Sequence, residues 1–125
     1  GHPQFTSLQM ENTALKIQCD RGCLLQSMIV IIDNALDEVK DGGTIVITTE
    51  LIRGKVQITM GNTGAPLTLT QQNKLFVPYA TNKIEGTGLG LYRARQIMRA
   101  MGGDLALKSS TVKETSFICE VPCAN

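Results

Sequence analysis

The sequence has no tryptophan, only five other aromatic residues and a single histidine, His2, among its 125 positions. With the only histidine at the extreme start, the chain carries no obvious histidine catalyst, and Gly1 and His2 have the look of a tag remnant. No apolar run approaches the ~20 residues that a membrane-spanning helix needs, so no membrane contact is expected. Charge of one sign is also missing: twelve Lys and Arg oppose eleven Asp and Glu, a net +1. That balance gives no electrostatic case for nucleic acid or an anionic membrane surface. Disorder is excluded as well, because 42% of residues are hydrophobic and 18% charged. Cysteine is sparse. Cys19 and Cys23, and Cys119 and Cys123, form two C-x3-C pairs. Cys23 begins an apolar helix pattern and Cys119 sits in a strand-like run, so buried free thiols in a reducing compartment, rather than a metal site, are the expectation.

A core of real size is present, and the length fits one domain spanning residues 1–125. Residues 13–20 alternate as a strand would. "CLLQSMIVIIDNALDEVK" (23–40) is the strongest helix pattern, with Leu24, Leu25, Met28, Ile31, Ile32, Ala35, Leu36 and Val39 at three- and four-residue steps. Asp20 suits its N-cap, and "DGG" (41–43) stops it. Residues 44–51 and 55–61 form a hairpin pattern around a short turn. A turn-rich stretch from Asn62 to Thr87 follows, with a short helix expected near Leu69–Phe76. The second helix runs over 89–101, with Leu91, Ala94, Met98 and Met101 on one face, and "GG" (102–103) ends it. "DLALKSS" and "TSFICEVP" then pair as closing strands. Helices separated by hairpins predict an α+β, two-layer sandwich: one mixed, mostly antiparallel sheet with helices on one face.

Chemistry concentrates in a few places. Gly86, Gly88 and Gly90 directly precede the second helix. Such glycines let backbone N–H groups approach phosphate, and the helix N-terminus adds partial positive charge. The stretch matches neither the P-loop nor the dinucleotide fingerprint. Asn34 lies inside the long helix, on a stripe with Ser27, Val30, Asp37 and Glu38. A solvent-facing asparagine, an ordinary strand exit at "ITMGNTGAPLT" and purely steric glycines remain open readings of each feature alone.

In order, "DNALDE" (33–38), "NTGAPL" (62–67), "LFVPYATNK" (75–83) and "GTGLGLYRARQIM" (86–98) resemble the asparagine, first glycine, phenylalanine and second glycine boxes of sensor histidine kinase catalytic domains. That is the Bergerat ATP-binding fold shared with DNA gyrase, the Hsp90 chaperone and MutL proteins, and the resemblance covers nearly the whole chain. It implies ATP and Mg2+ as cofactors, with Asn34 as magnesium ligand and catalytic residue. It implies nucleotide contacts from Asp37, Asn62, Gly64, Pro66 and Phe76. Lys83 is placed to meet phosphate charge, Gly86, Thr87, Gly88, Leu89 and Gly90 to line the phosphates, and Phe76 and Tyr79 to pack beneath a closing loop. The implied partners are a histidine-bearing dimerisation domain of the same kinase and a downstream response regulator. The implied setting is cytoplasmic, within a longer, membrane-anchored protein.

Two departures from the family pattern stand out. The first glycine box usually reads D-x-G-x-G; here Asn62 replaces the aspartate and Pro66 the second glycine. Asparagine both accepts and donates, and it brings no charge to a base-reading bond. Val30, one turn before Asn34, stands where gyrase-like members place a glutamate base for water. The alternatives to a histidine kinase are a non-catalytic nucleotide sensor, an anti-sigma-factor-type serine kinase, or an interaction module that keeps only the fold.

Overall fold

The computed structural model describes residues 7–10, 21–39, 42–80 and 90–122. The chain runs β1 (Ser7–Met10), α1 (Arg21–Glu38), β2 (Thr44–Ile52), β3 (Lys55–Asn62), α2 (Leu69–Lys74), α3 (Gly90–Ala100), β4 (Asp104–Ser110) and β5 (Thr115–Pro122). The strands form one sheet in the order β1-β2-β3-β5-β4. β1 lies parallel to β2, because α1 carries the chain back between them. The other neighbours are antiparallel, so the sheet is mixed and mostly antiparallel, as expected. One detail differs from the sequence reading. Among the described residues, the run Ser7–Met10 forms a strand before α1 that is too short for alternation to reveal. The strand expected at 13–20 and the N-cap expected at Asp20 lie outside the described residues, as do Cys19 and Cys123.

Period-two alternation builds the core face of the sheet. Ile45 and Ile47 of β2, Val56, Ile58 and Met60 of β3, Leu105 of β4, and Phe117, Cys119 and Val121 of β5 are buried. Register sets them side by side: Val56 faces Val121, Ile58 faces Cys119, and Met60 lies between Ile47 and Phe117. α1 and α3 pack on this face and against each other. Ile31 marks the centre of α1's inner stripe, with Ser27 and Ala35 one turn to either side, all buried. At 100° per residue, Leu25, Ile29 and Leu36 fall 120–160° from Ile31. They are accordingly half exposed, although spacing alone assigns Leu25 and Leu36 to the buried face. In α3 the contact line is Ala94 and Met98. The small Ala94 side chain suits close approach to α1.

The tight exit from α3 depends on a missing side chain. A Cβ at Gly103 would stand 1.7 Å from the Glu120 carbonyl oxygen, so only glycine lets the chain turn from α3 into β4 beside β5.

Candidate nucleotide-binding site

The central pair β3 and β5 changes character along its length. Three apolar cross-strand pairs are followed, on the same face, by Asn62 opposite Thr115. Both are buried, at 4% and 6% exposure. A polar pair at the end of an apolar ladder needs partners, and both have them. Asn62 Nδ2 donates to the Thr63 carbonyl at 3.1 Å. The hydroxyls of Thr115 and Ser110 lie 2.6 Å apart, and Ser110 Oγ also accepts from the Leu67 N–H at 2.8 Å. The loop after β3 is thereby tied to the far strand of the sheet.

That loop also touches the end of α1. A Cβ on Gly64 would come within 2.7 Å of the Glu38 carbonyl oxygen, and Gly64 holds φ +154. Glycine is required on both counts, and the result is that the loop starting at Asn62 abuts the last turn of α1. Thr63 is clamped to β2 as well. Its N–H donates to the Thr44 carbonyl at 3.0 Å, and its Oγ1 accepts from the Thr44 N–H at 2.9 Å. Pro66 is exposed at the outer part of the loop.

Val30 and Asn34 share the flank of α1 that lies to one side of Ile31, 40° apart around the axis. Gly90 opens α3 against this flank: a Cβ there would lie 3.2 Å from Val30 Cγ1. Asn34, half-buried, thus stands one turn from the contact between α1 and the start of α3. Asp37 continues the same flank at the exposed surface. The end of β3 thus meets α1 at Glu38 through Gly64, and the start of α3 meets it at Val30 through Gly90, with Asn34 between the two points along the helix. Lys83, Gly86, Thr87, Gly88 and Leu89 fall outside the described residues.

Between these parts, the capping box of α2 starts the chain on its return path. Thr68 Oγ1 accepts from Gln71 N at 3.1 Å, and Gln71 Oε1 accepts from Thr68 N at 2.8 Å. Phe76 then packs edge-on against the core ring Phe117, with centroids 6.4 Å apart. Tyr79 does not share that role. It is 75% exposed and sits at φ +63, so the expectation that it packs is corrected. At the far end of α3, Arg99 Nε donates to Asp104 Oδ1 at 2.9 Å. Partial burial would raise the Asp104 carboxyl; the Leu105 N–H and the Arg99 and Arg95 guanidiniums outweigh it and hold the group below its ordinary value.

Thr115 is the functional candidate that sequence reasoning passed over. Nothing in "TSFICEVP" distinguishes its first residue; only the register opposite Asn62 does.

The motifs and the fold agree with a comparison against known families. The "Histidine kinase-, DNA gyrase B-, and HSP90-like ATPase" profile matches residues 19–125. The chain belongs to this ATPase family. Within the family it is similar to the sensor histidine kinase ZraS of Escherichia coli (strain K12), with 31% identity over 111 residues, 89% of this chain and 24% of ZraS. It thus spans about a quarter of that relative's length. Among solved structures, the nucleotide-free catalytic domain of histidine kinase ThkA matches with TM-score 0.81 and 31% identity, over 94% of this chain and 78% of that one. A second ThkA structure, in complex with the response regulator protein TrrA, matches with TM-score 0.79 and 28% identity, over 95% of this chain and 34% of that chain. Membership of this ATPase family points to ATP as the ligand of the domain. No helix among the described residues is long and apolar enough to cross a membrane.

Proposed function

We propose that residues 1–125 form the catalytic domain of a sensor histidine kinase, which transfers the γ-phosphoryl group of Mg-ATP to a histidine on a separate dimerisation domain. The observation that carries the reading is the α1 flank beside Gly90, where Val30 and Asn34 lie one turn apart. Valine cannot take a proton from water or from a serine hydroxyl. A histidine nitrogen attacks with its own lone pair, so this site needs no base there: the bond from the γ-phosphorus to its bridging oxygen breaks, a nitrogen–phosphorus bond forms, and ADP leaves. Catalysis then rests on positioning and charge stabilisation.

Asn34 supplies one neutral oxygen. That fits magnesium, which keeps several waters and takes one or two protein ligands plus substrate phosphates. When bound, the ion would neutralise phosphate charge. Asn62 accepts from the adenine amine through its side-chain oxygen, since its amide nitrogen is engaged with Thr63. Gly64 and Gly90 allow backbone approach, and Phe76 anchors the segment leading to residues 81–89, where Lys83, Gly86, Thr87, Gly88 and Leu89 meet the phosphates. Asp37 and Pro66 border the nucleotide. A response regulator receives the phosphoryl group from the histidine, a role in keeping with the TrrA complex of ThkA. The full-length protein is membrane-anchored, with this domain in the cytoplasm.

The test mixes the chain with Mg-ATP labelled at the γ-phosphorus and the purified dimerisation domain. Acid-labile label on that domain is expected, lost in Asn34→Ala while circular dichroism stays native. Rapid ATP hydrolysis without the partner, or no transfer with it, overturns the assignment.

A further inference from the structure

The Phe76 ring is held from two sides. Phe117 meets it edge-on, with the ring planes at 82°. The Arg95 guanidinium covers its face, with Cζ 4.2 Å from the ring centroid. The other partner of Arg95 among the described residues is Asp104, in a long ion pair. Its Nε stands 3.6 Å from Asp104 Oδ1, beyond hydrogen-bonding distance, and is buried with no hydrogen-bond partner among the described residues. Arg99 makes the close bond to that oxygen instead, at 2.9 Å. A guanidinium nitrogen left in this way is costly, so the ring face is the contact that the geometry favours.

The contact joins two distant parts of the chain. Phe76 ends the path that starts at Asn62, and Arg95 lies five residues into α3 from Gly90. Their stack therefore ties together the two segments on either side of residues 81–89. Phe117 extends the tie to the sheet, two residues beyond Thr115 in β5. Among the described residues, the groups that face Arg95 are the Phe76 ring and the Asp104 carboxylate at the start of β4.

We infer that Arg95 is a positioning residue for nucleotide binding: through the face of Phe76 it fixes the start of α3 relative to the Asn62–Phe76 segment, without touching the nucleotide. This rests on the ATP reading above. Arg99, which shares Asp104 but not the ring, is the internal control.

The experiment titrates the chain and its variants with a fluorescent ATP analogue and follows thermal melting in parallel. Arg95→Ala is expected to raise Kd about fivefold, the scale of a partly buried cation–π contact. Arg95→Lys, which keeps the charge, restores part of the affinity. Phe76→Leu matches Arg95→Ala, and the double variant is no worse than either single one. Arg99→Ala lowers the melting temperature and leaves Kd unchanged. In the transfer assay, Arg95→Ala raises KM for ATP while kcat stays within about twofold, because uniform binding is what it loses. The inference is overturned if Arg95→Ala binds like the unmodified chain, if Arg99→Ala weakens binding equally, or if the two single effects add. Failure of the unmodified chain to bind the analogue overturns the ATP reading and this inference together.

Discussion

The two ends of the β3–β5 pair share a face and a register, yet they differ in chemistry. At one end Val56 meets Val121 and Ile58 meets Cys119; at the other Asn62 meets Thr115. At the apolar end the facing side chains need only burial beyond the backbone ladder. The polar end is equally buried, and its cost is met by bonds to Thr63, Ser110 and, through Ser110, Leu67. The site thus begins where the core stops being apolar, without a break in the sheet. Stability should depend mostly on the first end and ligand affinity on the second, and substitutions can test that division.

The largest effect belongs to the apolar end. Ile58→Ala removes a buried side chain between Thr49 and Cys119 and should cost about 2–5 kcal/mol, read as a lower urea midpoint. The ATP affinity of the folded fraction should not change; a changed affinity would dissolve the division between the two ends.

Next is Asn62→Asp. The carboxylate loses the bond donated to the Thr63 carbonyl, at a position only 4% exposed. Unliganded stability should fall by about 1–3 kcal/mol. The preference for ATP over GTP should rise about tenfold, because a carboxylate accepts from the adenine amine with charge assistance and repels the guanine carbonyl. Parallel titrations with both nucleotides measure it, and an unchanged ratio would remove residue 62 from base reading.

Thr115→Val keeps the branched shape and deletes the hydroxyl next to Ser110. A loss of about 1 kcal/mol is expected, accompanied by weaker ATP binding, in contrast to Ile58→Ala. Full affinity in this variant would confine the site to the Asn62 side of the pair.

A further effect appears only in alkali. Burial pushes the Cys119 thiol up to about 12 from an ordinary value of 9.0. A folded pKa above the unfolded one means that this contribution is complete below about pH 9 and is lost as pH rises toward 12. Urea midpoints should therefore decline above pH 9, and Cys119→Ala should flatten the decline. No Cys-dependent slope would show that the thiol reaches solvent.

Much of this molecule was legible before folding. The bounds of α1, α3 and the four long strands follow from periodicity and from glycine stops, because one-sided burial imposes a period of 3.6 or 2 on sequence. Ser7–Met10 escaped notice because four residues carry too little alternation. Leu25 and Leu36 were misassigned because an apolar residue is cheap to expose, so apolar type limits burial without fixing it. Of the site, Asn34, Asn62, Gly64 and Gly90 carried motif signals. Thr115 and Arg95 carried none, since each acquires its meaning from a neighbour far away in the chain.

By itself, the sequence determined the element types, the mixed sandwich, where the glycines stand and the absence of an acid at residue 30. These are local properties, set by backbone sterics and by the side chain each position carries. Only the tertiary structure decided that Asn62 would face Thr115, that Gly64 would meet the end of α1, that Gly90 would close on Val30 and that Arg95 would cover Phe76. Those pairings depend on strand register and helix docking, which arise from packing the whole core at once and leave no trace at any single position.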